Sequence, residues 1–146
     1  MKITQVTSKE QWEKVYQLRK EVFVDEQGVH IEDEFDQHDD DPNTIHILLK
    51  TDNSPAATGR LRFVNQQGKL ERICVHSRFR KHGLGKEIVL ALEKIVRDKG
   101  LNAVYLHGQT QAEKFYHKLG YETKSESFLE DGIPHYVMMK KWDKGD

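Results

Sequence analysis

Apolar positions along this chain switch between alternation and three-and-four spacing, and each switch marks an element. Lys2 to Val6 alternates as a short strand. Ser8, with Gln11 three residues on, is the pairing that caps a helix start. Trp12, Val15, Tyr16, Arg19, Val22 and Phe23 then fall at helical spacing, with Arg19 the polar member of the stripe. Asp25 to Pro42 is acidic and aperiodic, a long loop with room for a short helix. His46 to Lys50 and Ala56 to Val64 read as strands joined by a turn through Asp52-Asn53-Ser54-Pro55. Gln66-Gln67-Gly68 turns the chain into a strand from Leu70 to Val75. Leu84, Ile88, Leu92, Ile95 and Val96 form a second helical stripe that stops before Gly100. Ala103 to Leu106 is the next strand. Gln111 to Leu119 is a short helix with Ala112, Phe115, Tyr116 and Leu119 on one face and Gly120 as its stop. Tyr121 to Phe128 and His135 to Trp142 close the chain as an antiparallel pair. The order βα, β, β, βα, βα, β, β predicts an α/β fold, a mixed sheet with helices on its faces. No linker, repeat or low-complexity segment divides it, so one domain over residues 1–146 is expected.

Composition narrows the function. The 146 residues are 36% hydrophobic and 32% charged, with 23 basic and 24 acidic side chains giving a net charge of −1. Near-cancelling charge argues against nonspecific nucleic-acid binding. The longest apolar runs are one strand long, so no membrane span is expected, and Met1 to Val6 lacks the apolar stretch of a signal peptide. The single cysteine, Cys74, cannot form an internal disulfide. These features fit a soluble cytoplasmic protein. Oligomeric state stays open, a homodimer included.

The chemistry concentrates in Val75-His76-Ser77-Arg78-Phe79-Arg80-Lys81-His82-Gly83-Leu84-Gly85. A β-branched strand (Ile73, Val75) runs into a basic loop ending in Arg-x-x-Gly-x-Gly, and a helix begins at once. N–H groups at a helix start lack intrahelical partners, and the helix dipole adds roughly half a positive charge there. Glycines allow close approach of a ligand, and Arg80 and Lys81 add full charges. This arrangement suits a pyrophosphate. The Rossmann fingerprint would need glycine where Ile88 stands. The Walker pattern would need glycine at Arg80 and a hydroxyl at Glu87. Both dinucleotide and P-loop readings therefore lack required residues. A glycine turn that merely caps a helix remains the alternative.

A second stretch follows downstream: Gln109-x-x-Ala112-x-x-Phe115-Tyr116-x-x-Leu119-Gly120-Tyr121. Together the two resemble motifs A and B of the GNAT superfamily of acyl-CoA-dependent N-acetyltransferases. Within it, Leu18-Arg19-x-x-Val22-Phe23-Val24-x-Glu26-Gln27 and Asp131-Gly132-Ile133-Pro134-His135 are similar to a bacterial branch of small, poorly characterised members. The resemblance implies a GNAT-like fold in which the motif A strand bulges and splays from the strand after it. It implies acetyl-CoA as co-substrate and no metal. The pantetheine arm would pair with the backbone around Cys74, through Ile73 and Val75. The pyrophosphate would lie on the N–H groups from Arg80 through Lys81, His82, Gly83, Leu84 and Gly85 to Lys86. Gln109 stands where the family often has asparagine, and would contact the cofactor.

Acetyl transfer needs a neutral amine and a leaving thiolate. A free lysine is neutral only about 0.1% of the time near neutral pH, a deficit of about 4 kcal/mol. The resemblance implies Tyr116 as the acid that protonates the thiolate. A purely apolar role in the helical stripe is the alternative. Glu71 is the candidate base, acting through water, or else one half of an inter-strand ion pair with Arg72. Cys74 and His76 share a strand face at i, i+2, so an acyl-cysteine route is conceivable beside a merely buried thiol. The family transfers directly within a ternary complex to an amine acceptor. The acidic stretch Glu32 to Asp41 lacks a calcium-loop order and reads as a solvated loop; the resemblance puts it near the acceptor mouth, where an acidic rim would attract a cationic amine. A GNAT-fold acyl-CoA sensor without turnover is the competing function.

Overall fold

The computed structural model describes residues 1–143. Eight strands form one sheet: β1 (Lys2–Gln5), β2 (Ile45–Thr51), β3 (Ser54–Val64), β4 (Gln67–Val75), β5 (Ala103–Gln109), β6 (Glu122–Thr123), β7 (Phe128–Glu130) and β8 (Ile133–Lys141). Their order is β1-β2-β3-β4-β5-β8-β6, with β7 paired to β8. Every pairing is antiparallel except β4 with β5. Four α-helices flank the sheet: α1 (Lys9–Arg19), α2 (Ile31–Glu34), α3 (Leu84–Asp98) and α4 (Glu113–Lys118).

The two faces carry separate cores. On one, Ile88, Leu92 and Val96 of α3 pack with Leu61, Leu70, Val104 and Leu106. On the other, Val15 and Leu18 of α1 pack with Val22, Leu48 and Cys74. Alternation along the strands sends successive side chains to opposite cores. A glycine on each of two strands sets the seat of α3. A Cβ at Gly59 would lie 2.7 Å from Ile88 Cγ2, and one at Gly68 would lie 2.4 Å from Val96 Cγ2. Any larger residue would push α3 off the sheet and displace its N-terminus from the end of β4. Each fully buried aliphatic side chain of α3 contributes about 1.5–3 kcal/mol, so the cost of a poor seat is large.

Several elements differ from the sequence expectation, each for a local reason. The capping box at Ser8 and Gln11 forms, but α1 gives way after Arg19 to a π-helical segment, Lys20–Glu26. Within it Gln27 N–H reaches back to the Val22 carbonyl at 3.2 Å. The wider turn re-aims Phe23 and Gln27, a common device at functional sites. Asp25 to Pro42 contains α2 and a 3₁₀ turn (Gln37–Asp40) rather than open loop. The first hairpin turns on Asp52-Asn53 and the next on Asn65-Gln66, all four with positive φ. Tyr121 to Phe128 splits into β6 and β7, and β7 hairpins to β8 through Asp131-Gly132, which adds an eighth strand to the seven expected. No helix among the described residues is long and apolar enough to cross a membrane.

Candidate active site

The parallel pair comes apart almost as soon as it forms. β4 and β5 are in register only at Gly68 with Val104, Lys69 with Tyr105 and Leu70 with Leu106. Beyond Leu70, β4 takes a bulge: its register with β3 slips between Thr58 and Arg60, and Arg72 has φ +53°. A bulge bends and twists its strand, here away from β5. A cleft of about 250 Å³ opens in the gap, lined by Glu71, Ile73, His107, Gln109 and Tyr116 among others.

The backbone of β4 faces that gap at alternate residues. Cys74 registers with Thr58, and His76 N–H bonds the Ala56 carbonyl at 2.8 Å. Cys74 and His76 thus turn their peptide groups to β3, which leaves Ile73 and Val75 turned to the gap. Cys74 keeps its side chain under α1, where burial pushes its thiol to about 12. A thiol held that high is inert as a nucleophile at neutral pH. His76 pairs instead with Glu21 at 3.0 Å, so no Cys–His couple forms.

At the end of β4 lies the loop the motif predicted. Lys81 has φ +69° and Gly83 φ +77°, and α3 starts at Leu84 with no side-chain cap. Alternating left-handed residues before a helix make a concave nest of N–H groups. From Arg80 to Lys86 none of these groups donates to a backbone carbonyl. Lys81, His82 and Lys86 are exposed around the nest, whereas the Leu84 side chain is buried and offers only its N–H. Arg80 leans back over the strand, its Nε donating to the Val75 carbonyl at 3.0 Å and its Nη2 pairing with Glu26 at 2.8 Å.

Tyr116 projects from α4 into the other wall of the cleft. It is 9% exposed, and its hydroxyl has no hydrogen-bond partner among the described residues. Burial raises the phenol to about 12. A Cβ at Gly108 would lie 3.1 Å from the Tyr116 ring, so that glycine gives the ring its place. Gln109 Nε2 donates to Gln27 Oε1 at 3.0 Å, which ties β5 to the end of the π-helical segment.

Glu71 is also in the cleft wall, but it is heavily engaged. Arg60 Nη2 lies 2.9 Å from it, Arg62 Nε 2.7 Å and Lys69 Nζ 3.1 Å. Burial alone would raise its carboxyl, yet the Arg62 hydrogen bond and the charges of Arg60 and Lys69 hold it at about 2. Its partner is not Arg72, which bonds Glu34 and Asp36 instead. The acidic stretch divides: Glu32, Asp33, Asp40 and Asp41 are exposed, while Glu34, Asp36 and Asp39 turn inward to arginines. Asp39 neutralises two buried arginines, Arg19 at 2.7 Å and Arg60 at 3.0 Å, and Glu34 bonds Arg19 at 2.9 Å. The polar residue in the α1 stripe is explained by this network: Arg19 is 1% exposed, with its guanidinium 4.7 Å over Phe35. Among the described residues no cluster of His, Cys, Asp or Glu is arranged to hold a metal.

Sequence reasoning missed the outer wall of the cleft: Phe23, Gln27, His107, Glu130 and His135. His107 Nδ1 lies 2.8 Å from Glu130 Oε1.

A sheet split at its one parallel pair, with an anion nest at the end of the split strand, is the architecture of acyl-CoA N-acyltransferases, and this is their fold. The chain belongs to the acetyltransferase (GNAT) family, whose model matches residues 12–121. It is similar to a Bacillus subtilis (strain 168) protein named as an acetyltransferase, 51% identical over 144 residues and covering 98% of both chains. The crystal structure of an acyl-CoA N-acyltransferase from Pseudomonas aeruginosa superposes with a TM-score of 0.86 at 28% identity, over 96% of this chain and 99% of that one. An aminoglycoside 6'-N-acetyltransferase solved with coenzyme A shares the fold at TM-score 0.81 and 16% identity over the whole of both chains. The protein is accordingly an acyltransferase, and enzymes of its family use acetyl-CoA as co-substrate.

Proposed function

We propose that this chain is one N-acetyltransferase domain that moves an acetyl group from acetyl-CoA to a primary amine, by direct transfer in a ternary complex. The acceptor would be a small amine, an amino sugar or a peptide amine. The observation that carries the reading is the cleft between β4 and β5, with the peptide groups of Ile73 and Val75 turned to it along one wall and the Arg80–Lys86 nest at its end.

Coenzyme A fits these features. Its extended arm would add to the exposed edge of β4 as a strand would. Its pyrophosphate would take the nest N–H groups, each charge-assisted bond contributing about 1.5–3 kcal/mol. Arg80 is poised beside the nest to exchange Glu26 for a phosphate. When bound, the cofactor supplies an acetyl thioester to the middle of the cleft. Tyr116, whose hydroxyl has no partner among the described residues, would stand on the α4 side of the cleft to protonate the leaving thiolate. At about 12 its phenol keeps its proton until negative charge develops opposite it, which suits an acid used only late in the reaction. Direct transfer is supported by the thiol of Cys74, raised and buried away from the gap. Its single-cysteine composition is compatible with a cytoplasmic enzyme.

Thiol release from acetyl-CoA, followed across a panel of small amines, amino sugars and peptides, tests the reading. Acceptor-stimulated release with intersecting initial-rate patterns is the expected result. Tight coenzyme A binding without stimulation by any amine would favour the non-catalytic sensor, and parallel patterns would overturn direct transfer.

A further inference from the structure

Amine acylation at neutral pH needs a proton acceptor, and the carboxylate on β4 is badly placed to be one. Glu71 at about 2 lies some five powers of ten below neutrality, and three cations would have to be abandoned before it took a proton. The opposite strand offers a better group. On β5, Leu106 and Gly108 face Tyr116 and the α3 core, so Tyr105, His107 and Gln109 face the other side. His107 lies in the cleft wall with its side chain 24% exposed, open enough to meet a second substrate. Its Nδ1 is 2.8 Å from Glu130 Oε1 on β7. A carboxylate only accepts, so Nδ1 carries the hydrogen and the lone pair sits on Nε2, on the far side of the ring from Glu130. Nε2 has no partner among the described residues. Phe128 packs edge-on against the ring, with centroids 5.2 Å apart, and fixes its plane.

We propose that His107 is the general base that deprotonates the acceptor amine, with Glu130 as the positioning residue that sets its tautomer and orientation. The proposal rests on the acetyltransfer reading above. The acceptor would then enter from the α2 side of the sheet, while the leaving group faces Tyr116 on the α4 side. As the N–C bond forms, the C–S bond breaks with its electron pair going to sulfur. Before this, His107 Nε2 takes the ammonium proton and passes it through water to solvent; as the bonds exchange, the thiolate takes the Tyr116 proton and water carries the second proton lost by nitrogen to the phenolate. Glu130 stays ionised through this cycle: the His107 hydrogen bond lowers its carboxyl more than burial raises it. His135 is the other histidine nearby, but it is 7% exposed and donates Nδ1–H to the Ile133 carbonyl at 2.6 Å, so it serves the hairpin.

The test combines His107→Gln and Glu130→Gln with kinetics and with a readout on the protein alone. In the parent, nitrogen NMR of the imidazole should show the Nδ1–H tautomer of His107, and Glu130→Gln should give a tautomer mixture. With an alkylamine acceptor, His107→Gln should lower kcat about 100-fold with coenzyme A affinity unchanged. With an arylamine, already neutral at pH 7, the loss should shrink to a few-fold. The acid limb of the kcat/KM profile should vanish in His107→Gln and persist in Glu71→Gln. The titratable and charged groups around the ring are Glu130 on β7, His135 on β8, Tyr105 on β5, and Lys69 and Glu71 on β4, so His135→Gln is the control for a neighbour's titration. Equal losses for alkyl and aryl amines, or a limb that survives His107→Gln, would overturn the base role while leaving acetyltransfer standing. A parent that binds coenzyme A yet acetylates no amine would instead sink the acetyltransfer reading and this proposal together.

Discussion

Replacing Asp39 by asparagine probes the charged layer that supports the cleft. Its side chain is 5% exposed and bonds both buried arginines, Arg19 and Arg60. Burial would raise its carboxyl, but the Arg19 hydrogen bond and charge, a backbone N–H from Asp36 and the Arg60 charge bring it from 3.8 to about 2. A group whose folded value lies below its unfolded one stabilises above the unfolded value and loses that contribution as pH falls through the folded one. That lowering is worth about 2 kcal/mol at pH 7 and about 1 kcal/mol at pH 3. Removing the charge also leaves two buried guanidinium groups short of a partner, so the full loss at pH 7 should reach about 3–5 kcal/mol. Urea unfolding of parent and Asp39→Asn at several pH values between 7 and 3 measures the difference directly. The gap should be widest at neutrality and narrow by about 1 kcal/mol by pH 3. A gap below about 0.5 kcal/mol at pH 7, typical of a surface pair, or one that stays constant with pH, would refute a buried, charge-bearing Asp39.

Three further outcomes are expected. Gly85→Val should weaken coenzyme A binding tenfold or more in calorimetry while moving the melting temperature only slightly, because a Cβ there stands at an ordinary 3.5 Å from Phe115 and the added methyls reach the nest; unchanged affinity would remove the nest from the cofactor site. Tyr116→Phe should lower kcat about 100-fold with little effect on stability, since its hydroxyl bonds nothing among the described residues; full activity would confine Tyr116 to packing. Cys74→Ala should keep turnover, and a thiol reagent should leave the folded parent active; lost turnover with fold and cofactor binding intact would force an acyl-enzyme route.

How far the sequence could be read depended on whether a signal was local. The nest was legible because its parts are consecutive: a β-branched strand, two glycines and a helix start within a dozen residues. The split of β4 from β5 was legible only through the family resemblance, since nothing in Leu70 to Val75 announces a bulge at Arg72. The charged layer was misread for the same reason in reverse. Asp39 looks solvated beside Asp40 and Asp41, and its real partners, Arg19 and Arg60, lie 20 and 21 residues away. Long-range pairing turns Glu34 and Asp39, from within an otherwise exposed acidic run, into buried counter-charge.

The outer wall of the cleft fell outside the reading because two boundaries were drawn short. The apolar run of β5 ends at Leu106, so nothing local marks His107 as strand, and Tyr121 to Phe128 carries no local sign of the hairpin that holds Glu130. β5 runs to Gln109 because β8 pairs with it residue for residue, from Ala103 with Lys141 to Gln109 with His135. That same pairing lets β7 fold over β8 and set Glu130 beside His107. The split can stay open because β8 satisfies one edge of β5, and the gap with its unpaired β4 edge is left for a ligand to fill. Peptide groups turned into a gap in the middle of a sheet must meet water or a ligand, and an extended amide-bearing molecule would suit that edge.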